Sequence, residues 1–270
     1  MIIDAHQHFW LLKDRAGAWP PPELTAIYRD FCPADLTPQL ERHGIDGTIL
    51  VQSLPSSAET EALLHLASQH AFILGVVGWA DMKAPDAEAT IADLAKAPKL
   101  KGLRPMLQDI AEDGWIDDPA LAPAVEAMIE AGLVFDALVM PRHLPFLENF
   151  ARRHPALTIV IDHGAKPDIA EGHYRDWFRA MGRLADLENV SCKLSGLLTE
   201  RGNQLPQAIR PYAETLLMLF GAQRVLFGSD WPVVELAGTY ADWFAQARAI
   251  VPEADWPRIF GENARQIYGV

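Results

Sequence analysis

The chain is poor in cysteine and in positive charge, and it has no long apolar run. Only Cys32 and Cys192 occur among its 270 residues, without Cys-x-x-Cys spacing, which excludes a disulfide framework and a zinc knuckle and fits a reducing cytoplasm. Lysine and arginine number 23 against 36 aspartates and glutamates, a net charge of −13 with no basic stripe, so neither nucleic acid nor an anionic membrane surface is an expected partner. No apolar segment approaches the roughly 20 residues of a membrane span. No basic segment followed by an apolar core opens the sequence either, so no export signal is expected. No Ser/Gly linker or shift of composition divides the chain, and residues 1–270 read as one domain with an ordinary globular balance, 50% hydrophobic and 22% charged. The function class left standing is chemistry on a small molecule.

What the sequence does contain is an alternation of short apolar runs with helical patterns. Ile2 to Ala5 reads as a first strand, followed by a Pro/Trp-rich stretch from Trp10 to Pro38, too irregular for a helix and too aromatic for a disordered linker, read as a long loop over the barrel mouth that helps shape specificity. A helix Leu36 to His43 closed by Gly44 leads to a strand Gly47 to Gln52, and Ser56-x-x-Glu59 resembles a capping box opening a helix to about His70. Strands are then expected at 72–79, 100–104, 133–139, 157–162, 189–194 and 224–228. Helices are expected at 87–96, 119–131, 143–154, 171–187 and 204–220, and in the tail at 240–250 and 255–268. Solid apolar strands each followed by a helix indicate parallel strands covered on their outer side, and eight of them indicate a closed (β/α)8 TIM barrel, an α/β fold.

Such barrels carry their chemistry at the C-terminal ends of the strands. Strand one ends in His6 and His8, which alternation places on one face, so two imidazoles point the same way. The other strand ends offer Trp79 and Asp81, Arg104, Asp136, Asp162 and His163, Lys193 and Ser195, and Asp230. Several have plain structural readings. Asp162 could anchor backbone amides, Lys193 could pair with a neighbouring carboxylate, and Trp79 and Trp231 could be core. An unpaired buried guanidinium is costly, so Arg104 should meet Asp136 or a substrate oxygen. Asp230 differs because it follows Val225-Leu226-Phe227-Gly228-Ser229 and so sits beside strand one once the barrel closes. His6, His8 and Asp230 then converge with His163 across the mouth, enough to hold one Zn²⁺ or similar ion with a position open for water.

With those residues in hand, the chain resembles the amidohydrolase superfamily: His-x-His on strand one, His163 on strand six and Gly228-Ser229-Asp230-Trp231-Pro232 on strand eight. Asp4-Ala5-His6-Gln7-His8-Phe9-Trp10, Val77-Gly78-Trp79, Lys101-Gly102-Leu103-Arg104, Leu107-Gln108-Asp109, Asp162-His163 with Lys166-Pro167, and Cys192 to Leu197 resemble its sugar-lactonase branch, which contains fuconolactonases and rhamnonolactonases.

The resemblance implies hydrolysis of an aldonolactone to the open-chain sugar acid, with Asp230 as general base and then acid, and His163 and Arg104 stabilising the oxyanion. Asp136, Lys193 and Trp79 are the residues expected to grip sugar hydroxyls. Two departures from the superfamily pattern stand out: the lysine of strand four, Lys101, lies at its beginning with Arg104 at its end, and strand five ends in Asp136-Ala137-Leu138 without a histidine. At most one divalent ion is therefore expected, held by His6, His8 and Asp230, with Zn²⁺ the first candidate and activity without metal the other. The implied partner is a small sugar lactone, and the implied enzyme a cytoplasmic monomer or homodimer. A metal-dependent decarboxylase of an aromatic or dienoic acid is the alternative, and the missing strand-five histidine counts against it.

Overall fold

The computed structural model describes residues 1–270. Eight strands form one parallel sheet in chain order: β1 Ile3–Gln7, β2 Gly47–Val51, β3 Ile73–Gly78, β4 Leu100–Leu103, β5 Val134–Ala137, β6 Ile159–Ile161, β7 Val190–Leu194 and β8 Val225–Phe227. The circle closes just beyond β8, where Gln7 pairs with Trp231 and His8 N donates to Trp231 O at 2.8 Å. The fold is thus the expected TIM barrel, and no helix is long and apolar enough to cross a membrane.

The strands read as continuous apolar runs because both faces are covered. Inside, Ile3, Ala5, Ile49, Val51, Val77, Val134, Val160 and Leu226 make a packed plug with Ala264 and Tyr268 of the last helix, α10 (Asn263–Tyr268). Outside, helices cover the opposite set of residues in the larger core, among them Phe135, Ile161, Cys192 and Phe227.

Ten α-helices lie between and beyond the strands. They are α1 Pro33–His43, α2 Ser57–Gln69, α3 Ala87–Leu94, α4 Ala122–Glu130, α5 Leu144–Arg153, α6 Arg175–Ala185, α7 Leu197–Glu200, α8 Arg210–Phe220, α9 Tyr240–Ile250 and α10. Gly44 ends α1 in the left-handed region, at φ +64°, as its position after the last periodic residue predicts.

Other expectations are corrected. The helix expected at 171–187 starts only at Arg175, since Gly172 takes φ +73° and turns the chain back onto Asp168. The one expected at 204–220 is a 3-10 turn, Pro206–Ile209, followed by α8, because Pro211 has no N–H to continue a helix and belongs in the first turn of one. Only half of the capping box forms. Ser56 Oγ accepts from Glu59 N at 3.3 Å, but the Glu59 carboxylate turns away to the amides of Ser53 and Leu54, at 2.9 and 2.7 Å. The short α7 after β7 has no counterpart in the sequence reading.

Candidate active site

The seam between β8 and β1 brings the first and last motifs together. Asp4, fully buried, accepts from Ser229 N (2.8 Å) and His6 N (3.2 Å) through Oδ1 and from Tyr240 Oη (3.2 Å) through Oδ2. Burial pushes its carboxyl up to about 6. Asp230, at φ +57°, donates its amide to His6 O at 2.8 Å. This seam aims Asp230 Oδ1 at three imidazoles, 3.3 Å from His8 Nε2, 3.7 Å from His6 Nε2 and 3.8 Å from His163 Nε2. Burial alone would raise the Asp230 carboxyl, but these imidazoles outweigh it and hold the group below the usual carboxylate range.

His163 arrives by a different device. After β6 the chain makes a left-handed turn, with φ of +54°, +59°, +62° and +47° at His163, Gly164, Ala165 and Lys166. Left-handed backbone costs a non-glycine residue roughly 1–2 kcal/mol, so the surroundings must enforce it. Trp177 Nε1 donates to Gly164 O at 2.8 Å, and His163 Nδ1 lies 2.8 Å from Ser195 Oγ. Gly196 makes room for the imidazole: a Cβ there would stand 2.6 Å from His163 Cγ. Burial lowers His163 to about 4, so the ring is neutral at neutral pH.

The donor set fits one divalent ion. His8 Nδ1 lies 2.7 Å from Val51 O, which can only accept, so Nδ1 carries the proton and Nε2 presents a lone pair. His6 Nε2 and His8 Nε2 are 3.2 Å apart, close to the roughly 3.3 Å that two nitrogens at about 2.05 Å span around a tetrahedral zinc. The ligand atoms of His6, His8 and Asp230 all lie within 4.8 Å of one another. Lys101 Nζ bonds Gly269 O at 3.2 Å, away from this cluster, and cannot bridge two ions in it.

Beneath the histidines lies a closed ionic floor. Lys193 Nζ is 2.5 Å from Asp136 Oδ2, 3.0 Å from Asp162 Oδ1 and 3.1 Å from His6 Nδ1. Tyr268 Oη donates to both Asp136 oxygens, at 2.9 and 3.0 Å. The two carboxylates shift in opposite directions. Burial raises both, but Lys193, His6 and Arg104 surround Asp162 and hold it well below its ordinary value, whereas burial prevails at Asp136, which rises to about 6.

The sequence profile of the amidohydrolase family matches residues 3–270. The chain belongs to the amidohydrolase family. The L-fucono-1,5-lactonase of Burkholderia ambifaria is 53% identical over 99% of this chain and 95% of its own length. That of Burkholderia multivorans is 38% identical over 99% and 96%. A solved amidohydrolase from Burkholderia multivorans with bound Zn superposes with a TM-score of 0.92 at 34% identity, covering 100% of this chain and 99% of the other.

In this amidohydrolase the cluster opens into a pocket of about 350 Å³. His8, His163, Arg104 and Asp230 line it, and so do Trp19, Ser53, Met106, Gln108, Asp109 and Lys166. A roomier cleft, about 470 Å³, lies outside the barrel against α2 and holds none of the converging histidines.

Three expected sugar-gripping residues fall outside the pocket. Asp136 and Lys193 are wholly enclosed in the floor, 0% exposed, and satisfied by each other. Trp79 is absent from the lining, with its backbone tied at both N and O to Thr60 Oγ1. Arg104 does line the pocket, yet its partners are Asp162 Oδ2 at 3.2 Å, the carbonyl and side-chain oxygens of Gln52 and, at 3.4 Å, His6 Nε2, and Asp136 is not among them. The loop from Trp10 to Pro38, expected over the barrel mouth, does reach the pocket, through Trp19; sequence reasoning missed Ser53, Gln108, Asp109 and Lys166 as pocket residues. The signal for Gln108, Asp109 and Lys166 was their place just after a strand-end motif; nothing local marks Ser53.

Proposed function

We propose that this amidohydrolase hydrolyses a sugar-derived 1,5-lactone, L-fucono-1,5-lactone first among candidates, to the open-chain aldonate. The observation that carries the mechanism is one carboxylate, Asp230, whose Oδ1 faces three imidazoles within 3.8 Å while Oδ2 has no protein hydrogen-bond partner. The lactone specificity rests on relatives whose identity extends over essentially the whole chain.

Asp230 Oδ2 takes a proton from a water as its oxygen attacks the lactone carbonyl, giving a tetrahedral oxyanion. When that intermediate collapses, the bond from the carbonyl carbon to the ring oxygen breaks, and Asp230 returns the proton to the departing oxygen. Asp230 ends as it began, and water has been added across one ester bond. Arg104 and the neutral His163 line the same pocket and would donate to the developing oxyanion, a role for which a lost donor typically costs about 10²–10³ in rate. Arg104 is oriented by its hydrogen bonds to Asp162 and Gln52.

His6, His8 and Asp230 would hold one divalent ion, with Zn²⁺ the first candidate. The chemistry such an ion supplies when bound is Lewis acidity, which favours loss of a proton from water at neutral pH.

The test is proton release, followed with a pH indicator in weak buffer, on a panel of aldonolactones before and after chelation. Rapid acid production from L-fucono-1,5-lactone and near relatives is the expected result. Acid from no lactone, or CO₂ release from an aromatic acid instead, would overturn the reading.

A further inference from the structure

We propose that Trp19 is the residue that selects a hydroxylated sugar ring in this pocket and that Arg15 positions it; the inference rests on the lactonase reading. The loop after β1 leaves and returns at one point, where Trp10 N donates to Phe31 O (3.0 Å) and Phe31 N to Trp10 O (2.8 Å). Between these ends the chain runs out to Trp19, which lines the pocket together with Asp230, His163 and Arg104. Histidines aside, Trp19 is the one aromatic residue in that lining.

Its indole is half-buried and its N–H has no protein acceptor. The indole N–H groups of Trp10, Trp177, Trp231, Trp243 and Trp256 each donate to a protein oxygen. Those of Trp79 and Trp115 do not, but neither lines the pocket. Trp19 therefore brings to the mouth a flat apolar face and one unused donor. A sugar lactone presents C–H groups on a ring face and hydroxyl oxygens at its edge, which such a side chain can cover and hydrogen-bond at once.

The placement of Trp19 is built. Arg15, only 4% exposed, donates Nη1 to Trp19 O at 2.7 Å and stacks its guanidinium over Trp10 and Trp19, 5.0 and 5.9 Å from the ring centroids. Its Nη2 donates to Ser53 Oγ and to Glu59 Oε1, the latter at 3.2 Å. Glu59 in turn accepts from the amides of Ser53 and Leu54, both in the pocket wall. A buried ion pair is weak evidence for stability, because desolvation offsets most of its attraction. Its geometric effect here is specific: one planar cation ties the loop carrying Trp19 to the wall formed after β2, without touching the histidine cluster. Lysine could not replace the fork, since it lacks the plane that stacks and the fixed divergent donors.

Contacts to the non-reacting part of a substrate that are alike in ground and transition state appear in KM. The experiment compares kcat and KM for L-fucono-1,5-lactone and for unsubstituted δ-valerolactone in wild type, W19F, W19A and R15K. Loss of one stacked, hydrogen-bonded contact predicts a fall of about 10-fold in the W19A ratio of kcat/KM for the sugar lactone to that for δ-valerolactone, carried by KM. W19F, which keeps the face and loses the donor, should fall between W19A and wild type, and it serves if W19A does not fold. R15K should shift the ratio in the same direction, by displacing Trp19. An unchanged ratio in both Trp19 variants, or a loss carried by kcat on both substrates alike, overturns the proposal. A wild type that opens sugar lactones while the ratio ignores Trp19 defeats this inference alone; a wild type that opens no lactone defeats the lactonase reading with it.

Discussion

Lys193 Nζ lies 3.1 Å from His6 Nδ1, so a fully buried ammonium supports a fully buried imidazole from below. Burial opposes the charge on Lys193, but Asp136 and Asp162 outweigh it and raise the lysine above its ordinary value. The ammonium thus has two carboxylate acceptors, one on β5 and one at the end of β6, while His6 Nδ1 aims its own proton at Asp162 Oδ1, 3.3 Å away, which leaves Nε2 its lone pair. The charge is buried at a cost and is tolerable only as a set.

Replacing Lys193 with methionine would leave Asp136 and Asp162 facing each other without their shared cation. Breaking a buried ion pair by removing one partner costs about 3–5 kcal/mol. Urea unfolding should register a loss of that order, and an unfolding midpoint equal to wild type would mean that the floor is not a charged network.

Asp230→Asn removes the base and one oxygen ligand while keeping the side chain's shape. Turnover should fall by about 10²- to 10⁴-fold with the circular dichroism spectrum unchanged. Metal content after dialysis, read by elemental analysis, should drop in Asp230→Asn and in His8→Ala below that of the wild type. A variant that keeps full turnover would remove Asp230 from the centre of the mechanism.

Asp4 gives stability a pH dependence of unusual sign for a carboxylate. Its folded value, about 6, lies above the ordinary 3.8 of an aspartate, so the folded state holds the proton more tightly. The stability it contributes is fully present below about 4 and is lost as pH rises through 6, by roughly 3 kcal/mol. Asp4→Asn, uncharged throughout and able to keep the contacts to Ser229, His6 and Tyr240, should not share that loss. The difference in unfolding free energy between variant and wild type should therefore move in the variant's favour from pH 4 to pH 7, and a constant difference would contradict the assignment.

Gly196→Ala places a Cβ at 2.6 Å from the His163 ring, at a residue with φ of +65°. The backbone penalty alone is about 1–2 kcal/mol, and the displaced imidazole should lower kcat as well. Gly17, also at positive φ but with open space around it, is the control: the same substitution there should cost stability and spare kcat.

The barrel was legible because its signal is repeated and local. Each strand is a short apolar run, each helix has a 3.6-residue pattern, and eight repetitions leave one architecture in which parallel strands are covered on both sides. Alternation along β1 and the position of Asp230 after β8 also sufficed to bring His6, His8 and Asp230 together, since closing the barrel makes those strands neighbours. The boundaries that went astray, at 171 and 204, were set by Gly172 and Pro211, where backbone chemistry overrode an amphipathic pattern.

By itself, then, the sequence determined the fold class, the strand order and the converging histidines and aspartate, because period-two alternation decides which face of a strand a residue occupies. Only the tertiary structure decided the height of each residue inside the barrel. Asp136 and Asp162 share an inward face with the plug residues Val134 and Val160, and Lys193 reaches inward from β7, yet strand stagger places Asp136 and Lys193 beneath the pocket and turns Asp162 toward Arg104. Trp19 and Ser53, far apart in sequence, meet at the mouth, where a buried arginine bonds to both. Such pairings depend on register and loop path across the whole barrel, for which no short stretch of residues carries a signal.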